Sequence, residues 1–297
     1  MTMRAALKRL QPRNWSAIRE LWISHLPPID FDTQYPEPTL SQLQPLVHPE
    51  PNASGLAELP YVNGVREAIF REAMLLSRKF IYCASLLPTL SNIGKNTWTA
   101  IAAYEAAFYG AKTFCFLLGI APLNRNSKIY IDAFFEREQK QGKRKTIVHD
   151  TLRFHLIGDR LTHEVLWALT VRLLNTTDFD AEQSGIQTDL KIIDWDKFQS
   201  FRNLILYDGS FWPFNEKLEK CDIAKPAVNE GICSAAFLDT MPTVAPFAEE
   251  YFGASTLLRK LIVSMLESIA ETAPVLRPEI TALEVPVRHA SVAQPAE

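Results

Sequence analysis

The feature that most constrains the fold is a pair of long segments whose apolar residues recur at helical spacing. The first segment begins after Asn63, a residue type favoured at helix N-caps. Its apolar face is formed by Val65, Ile69, Ala73, Leu76, Phe80, Cys83 and Leu87. The second runs from Thr97 to Leu118, just before Gly119, a residue typical of helix ends. Because only a short turn joins the two segments, the pattern predicts an antiparallel helical hairpin within a mainly α bundle.

The second segment also predicts close packing, because alanines lie beside its seam of larger residues. The seam consists of Ile101, Tyr104, Phe108, Ala111, Cys115 and Leu118. The alanines are Ala102, Ala103, Ala106 and Ala107. Further helices are predicted over residues 14–26, 159–175 and 195–207, with Asp194 as an N-cap, and from Pro246 to about Thr272. An insert over about residues 127–157 has flanks rich in β-branched and aromatic residues, which predicts a hairpin or two short strands.

The distribution of proline predicts how the chain is divided. Residues 27–60 hold eight of the 19 prolines, a density that forbids helix and removes backbone donors. We therefore expect an N-terminal helix and proline-rich arm over residues 1–60, a helical bundle over 61–275, and a loose tail over 276–297. The arm either packs over the bundle or tethers the first helix, and the sequence leaves both alternatives open.

Composition excludes several classes of function. The net charge of -3 gives no global attraction to nucleic acid, so any such contact needs a local basic patch. No apolar run reaches the roughly 18 residues of a membrane span, so we expect no membrane association and a cytoplasmic location. The cysteines form no C-x-x-C pair, which favours reduced thiols over zinc. Without a glycine-rich phosphate loop or an H-E-x-x-H motif, no metal or cofactor is expected.

The candidate site lies in the stretch FRNLILY, where Arg202 and Asn203 interrupt an apolar run. In a helix, Asn203 and Tyr207 share one face, and the long side chain of Arg202 can reach toward it. The guanidinium carries a permanent charge and a planar fork of donors that suits a phosphate. Alternatively, Arg202 pairs with Glu105 or Asp208 and only holds the bundle together.

The alanine- and aromatic-rich helix AIAAYEAAFYGAKTFCFLLG, followed later by FRNLILY, resembles the HEPN superfamily over about residues 60 to 275. Arg202 and Asn203 match the start of that superfamily's motif, whereas Tyr207 stands where a histidine is usual. The resemblance implies an HEPN-like antiparallel bundle that forms a homodimer with two facing motif helices. It also implies a metal-independent ribonuclease that leaves a cyclic phosphate, often as a toxin or phage-defence effector beside an antitoxin partner.

The missing histidine leaves two functional hypotheses. In the first, the protein is an active ribonuclease, and His149, His155 or His163 approaches the motif in space. In the second, it is a catalytically inactive module that dimerises and binds a partner protein, RNA or a nucleotide. Tyr207 could then orient a ligand but could not act as an efficient base, because its ordinary pKa lies near 10.

A basic segment in the insert is the candidate RNA-binding element. Its cations are Arg137, Lys140, Lys143, Arg144 and Lys145, close to the aromatic residues Tyr130, Phe134 and Phe135. Such a segment can follow a phosphate backbone. A solvated loop tip is the competing interpretation.

Overall fold

The computed structural model describes residues 7–26, 52–92, 96–122, 129–141, 144–157, 163–198, 200, 202–203 and 246–284. Its helices are α1 Trp15–His25, α2 Val65–Asn92, α3 Asn96–Leu117, α4 His163–Thr176, α5 Ala181–Ile192, α6 Pro246–Ala270 and α7 Arg277–Glu284. Its strands are β1 Arg13–Asn14, β2 Leu56–Pro60, β3 Ile120–Pro122, β4 Ile129–Asp132, β5 Arg137–Gln141, β6 Arg144–Val148, β7 Thr151–Leu156 and β8 Thr177–Asp178. The prediction of a mainly helical fold with a few short strands is confirmed.

Helices α2 and α3 form the predicted hairpin, and α6 packs along α3. Helices α3 and α6 can approach closely because Gly110 of α3 has no side chain. A Cβ at this position would lie only 3.3 Å from the side chain of Leu258 on α6. At the end of α3, Gly119 has φ 75°, a left-handed conformation that favours glycine. A Cβ at Gly119 would lie 2.3 Å from the Phe134 ring, so the chain turns tightly from α3 into the sheet.

The insert contributes to an antiparallel sheet with strand order β2-β7-β4-β3. Of the two alternatives predicted for the flanks, a hairpin or two short strands, the structure has strands that pair with each other, with Ile131 opposite Phe154 in the β4–β7 ladder. The polar segment between the flanks forms a separate hairpin, β5–β6. Strand β2 comes from the end of the proline-rich arm and pairs with β7, so residues 56–60 belong to this sheet.

The N-terminal helix packs into the same hydrophobic core as the hairpin. Trp15 and Trp22 are fully buried, and the Trp22 indole donates a hydrogen bond to the Leu117 carbonyl at 2.7 Å. Just before α1, Arg13 forms an ion pair of 2.5 Å with Asp132 at the end of β4. Both side chains are almost completely buried, at 3% and 1% exposure. Residues 7–26 are therefore an integral part of the packed core.

Two predictions about local structure need correction. The tail expected from residue 276 is wrong for residues 277–284, which form α7 and bury Ile280. The helix predicted over 195–207 begins instead with a 3-10 turn, Trp195–Lys197, and Asp194 makes no side-chain cap hydrogen bond. Ser200, Arg202 and Asn203 are helical. Among the described helices, none is long and apolar enough to cross a membrane.

Candidate functional site

The candidate site lies along the single stripe of α3 that solvent reaches. From Thr97 to the end of the helix, the only side chains that are not buried are Trp98, Ile101, Glu105, Phe108, Tyr109 and Lys112. Their spacing of three, four and seven residues places them on one face. The remaining faces of α3 pack against α2, α4 and α6. A charged residue is therefore tolerated on α3 only within this stripe, which we call the α3 stripe.

Arg202 lies against the α3 stripe. Its Nη2 is 4.0 Å from Glu105 Oε1, and the two side chains are 21% and 28% exposed. Its Nη1 donates to Asn203 Oδ1 at 3.4 Å, and its Cζ lies 5.9 Å from the Tyr104 ring centroid. The pairing with Glu105 that the sequence left open is thus present, but it is long and partly solvated. Burial raises the pKa of Glu105 even though Arg202 and Lys112 act in the opposite direction.

His163, the first residue of α4, contacts Tyr104, the same residue that lies beside Arg202. Its Nδ1 is hydrogen-bonded to the Tyr104 hydroxyl, and its ring stacks on Phe108 with centroids 4.1 Å apart. Burial lowers the pKa of His163 to about 4, and the positive charges of Arg202 and Lys112 contribute further. Burial also raises the pKa of Tyr104, so the pair is neutral near pH 7. A neutral imidazole can accept a proton.

Two lysines extend this positive region along the stripe. Lys112 Nζ lies 4.4 Å from the Phe108 ring centroid and 5.9 Å from that of Tyr109. Lys79, on the exposed side of α2, places its Nζ 5.6 Å from the same Tyr109 ring. Burial lowers the pKa of Lys112, and the like charge of Lys79 lowers it further. Arg202 and Lys112 thus both act on one carboxylate, that of Glu105, and Lys79 extends the positive region toward α2.

The structure brings together only part of the predicted site. Arg202, Asn203 and Glu105 are adjacent, whereas Tyr207 and Asp208 lie outside the described residues. Sequence reasoning did not assign roles to Tyr104, Phe108, Lys112 or Lys79. The signal that could have found Phe108 and Lys112 is the helical spacing of residues 101, 105, 108, 109 and 112 in an otherwise buried helix.

The predicted RNA-binding cations lie on the β5–β6 hairpin, apart from Lys143, which is outside the described residues. Lys140 is opposite Lys145 in the register, and Arg144 is opposite Gln141 on the other face of the ribbon. Arg137 is bound to Asp150 at 2.5 Å, and Lys145 to Glu138 at 2.8 Å. Among described residues, no ion pair or hydrogen bond joins this hairpin to Arg202 or Glu105.

The other histidines named from the sequence belong to the sheet region. His155 is 3% exposed on β7, directly opposite Tyr130. Burial lowers the pKa of His155 to about 4, and neither ring nitrogen has a hydrogen-bond partner within the described chain. His149 accepts a hydrogen bond from Arg66 through its carbonyl. Of the three candidates, His163 is the one whose side chain shares a contact residue with Arg202.

Within the described ranges, no group of three or more His, Cys, Asp or Glu side chains could hold a metal ion. Neither a family model, nor a curated protein, nor a solved structure matches this chain. Function is therefore inferred from the chemistry of the site itself.

Proposed function

We propose that the protein is an HEPN-like ribonuclease that needs no metal, with Arg202 binding the scissile phosphate and His163 transferring the proton. The observation that carries this proposal is the convergence of Arg202 and His163 on Tyr104. His163 takes the role of the histidine that the motif lacks at Tyr207. A partly exposed guanidinium beside a neutral imidazole supplies a phosphate ligand and a proton acceptor at one site.

In the proposed reaction, the ribose 2′-hydroxyl gives its proton to His163 as its oxygen bonds to phosphorus. The bond from phosphorus to the 5′-oxygen then breaks, and the imidazolium returns the proton to that oxygen. The products are a 2′,3′-cyclic phosphate and a 5′-hydroxyl end. When His163 Nδ1–H donates to the Tyr104 oxygen, Nε2 holds the lone pair needed for the first step.

The surrounding residues adjust this chemistry. Asn203 accepts a hydrogen bond from Arg202 and so orients the guanidinium. Burial is the main cause of the lowered pKa of His163, and it persists when substrate binds. A bound phosphate offsets the smaller contribution from the positive charges of Arg202 and Lys112, which makes His163 a somewhat stronger base. We further propose that the protein acts as a homodimer, as an effector beside an antitoxin or defence partner.

Cleavage of RNA in the presence of EDTA tests this function. The wild-type protein should cut a labelled single-stranded RNA, and Arg202→Ala should reduce the rate at least about 100-fold, because a phosphate-binding cation is lost. Arg19→Ala is a matched control, since Arg19 is 24% exposed and pairs with Glu20 at 3.3 Å. Unchanged cleavage by Arg202→Ala would exclude the mechanism.

A catalytically inactive RNA-binding or partner-binding module is the second candidate. The observation that favours it is the Glu105 carboxylate beside Arg202, which offsets part of the guanidinium charge. This alternative predicts that purified protein binds RNA or retains a stable partner but leaves the RNA intact. Detection of a cyclic-phosphate product that depends on Arg202 would exclude it.

A further inference from the structure

We propose that the α3 stripe, together with Lys79 of α2, is a binding track for single-stranded RNA that leads to Arg202. This inference deepens the proposed function and rests on it, because it names the form of the substrate and the path it follows. It also assigns RNA binding to residues other than the basic hairpin.

The track carries positive charge. Lys79 and Lys112 face the same Tyr109 ring at 5.6 and 5.9 Å, and neither forms an ion pair within the described chain. Lys112 is partly buried and Lys79 is exposed, and the like charge of Lys79 disfavours the charged form of Lys112, so a bound anion is favourable here. A phosphate that lies between them removes this repulsion.

Aromatic side chains lie beside the charges of the track. Phe108 and Tyr109 are partly exposed neighbours on the stripe, and Trp98 at its other end is 44% exposed. A base can stack on such a ring whatever its sequence context, because every base has a π-face. Alternating rings and cations are the combination used by proteins that bind single strands.

The length of the α3 stripe also suits a single strand. Trp98 and Lys112 are fourteen residues apart on α3, which corresponds to about 21 Å at 1.5 Å per residue. Arg202 meets the stripe between these ends, at Glu105. The stripe can therefore accommodate a few nucleotides on both sides of the phosphate that Arg202 holds.

The hairpin is a weaker candidate for the same partner. Its cations lie on opposite faces of the ribbon, and two of them are already paired with Asp150 and Glu138. A single-stranded backbone can follow only one face at a time. The α3 stripe presents its rings and charges on one side.

Fluorescence anisotropy with a labelled 12-nucleotide 2′-O-methyl RNA tests the track separately from cleavage, because this probe has no free 2′-hydroxyl. The double variant Lys79→Gln/Lys112→Gln should bind about tenfold more weakly than wild type. The slope of log affinity against log salt should also fall by about 1.4, since two phosphate contacts are lost. Lys191→Gln, an exposed lysine of α5, and Lys140→Gln/Lys145→Gln on the hairpin should retain wild-type binding.

The possible outcomes distinguish failure of the proposed RNA-binding track from failure of the proposed ribonuclease activity. Wild-type affinity in the Lys79/Lys112 variant, or loss of affinity in the hairpin variant instead, would overturn the track even if the protein cleaves RNA. Failure of the wild-type protein to bind the probe would also overturn it. Track-dependent binding without cleavage of the matching unmodified RNA would support the track and refute the ribonuclease. Circular dichroism spectra equal to wild type would establish that each variant is folded.

Discussion

The imidazole of His163 stacks on the ring of Phe108, with centroids 4.1 Å apart and ring planes 18° from parallel. This contact connects the first turn of α4 to the α3 stripe. The same imidazole is hydrogen-bonded to Tyr104, whose ring is 5.9 Å from the guanidinium carbon of Arg202. The imidazole of His163 and the guanidinium of Arg202 thus both lie against one buried aromatic side chain of α3.

The Tyr104 hydroxyl should therefore matter beyond packing. Tyr104→Phe retains the ring but leaves His163 Nδ1 without this partner, so we expect a loss of about 1–2 kcal/mol of stability and about tenfold lower cleavage. Chemical denaturation and single-turnover cleavage measure the two effects.

Tyr130→Phe is the matched control for that variant. The Tyr130 hydroxyl is also buried but has no hydrogen-bond partner among the described residues, so its removal should be neutral or slightly stabilising. Equal losses in Tyr104→Phe and Tyr130→Phe would show that the hydrogen bond to His163 has no special role.

Stability should decrease as the solution becomes acidic. Burial lowers the pKa of both His155 and His163 to about 4, below the ordinary value of 6.5. Between these values the unfolded chain binds more protons, so the free energy of unfolding falls as pH drops from about 6.5 to 4. Urea denaturation at pH 7 and pH 5 measures the decrease.

The variant His155→Gln isolates one contribution to this pH dependence. Between pH 6.5 and pH 4, His155 accounts for about 2–3 kcal/mol of the decrease in unfolding free energy, at 1.36 kcal/mol per pKa unit. The variant should lose that part of the decrease. The comparison is needed because the raised pKa of Glu105 acts in the opposite direction. An identical pH dependence in wild type and variant would contradict the assignment.

The buried ion pair between Arg13 and Asp132 should contribute far more to stability than the exposed ion pair between Arg137 and Asp150. Asp132→Ala leaves a buried guanidinium without its carboxylate and should cost about 3–5 kcal/mol. Asp150→Ala breaks an ion pair with the same 2.5 Å separation, but its partners are 44% and 52% exposed. That change should cost far less, because water screens an exposed ion pair. Similar changes in unfolding free energy for both variants would refute the claim that burial makes the ion pair of Arg13 and Asp132 the more important of the two.

Gly119 should not tolerate a side chain. Gly119→Ala combines φ 75° with a Cβ 2.3 Å from the Phe134 ring, so we expect a loss of at least about 2 kcal/mol. Gly185→Ala in α5 meets nothing within 4 Å and should stabilise the protein by about 0.5–1 kcal/mol. Thermal melting of both variants checks the opposite signs.

The sequence predicted those parts of the fold whose apolar pattern is strong. Helices α2 and α3 and the strand character of β4 and β7 follow from periodicity and β-propensity. Helix α5 was not predicted, because its buried face carries glutamines. Gln183 donates to Ser264 Oγ at 2.9 Å, and Gln187 donates to the Thr177 carbonyl at 2.9 Å. Periodicity of apolar residues cannot detect a helix that packs through hydrogen bonds.

The candidate site was only partly predictable for a different reason. The contact between Arg202 and Glu105 was anticipated as one alternative, because both stood out as charges near apolar seams. His163 was named only as one of three histidines that could approach the motif, since its position depends on how α4 packs across α3. No local pattern encodes that packing. The role expected for Tyr207 stays a prediction.

The most direct test of the central claim is a double-mutant cycle on single-turnover RNA cleavage in EDTA. His163→Gln and Arg202→Ala should each slow formation of the cyclic phosphate at least about 100-fold. The double variant should be little worse than either single variant, because the two side chains act as a unit. Wild-type cleavage by His163→Gln would contradict the account.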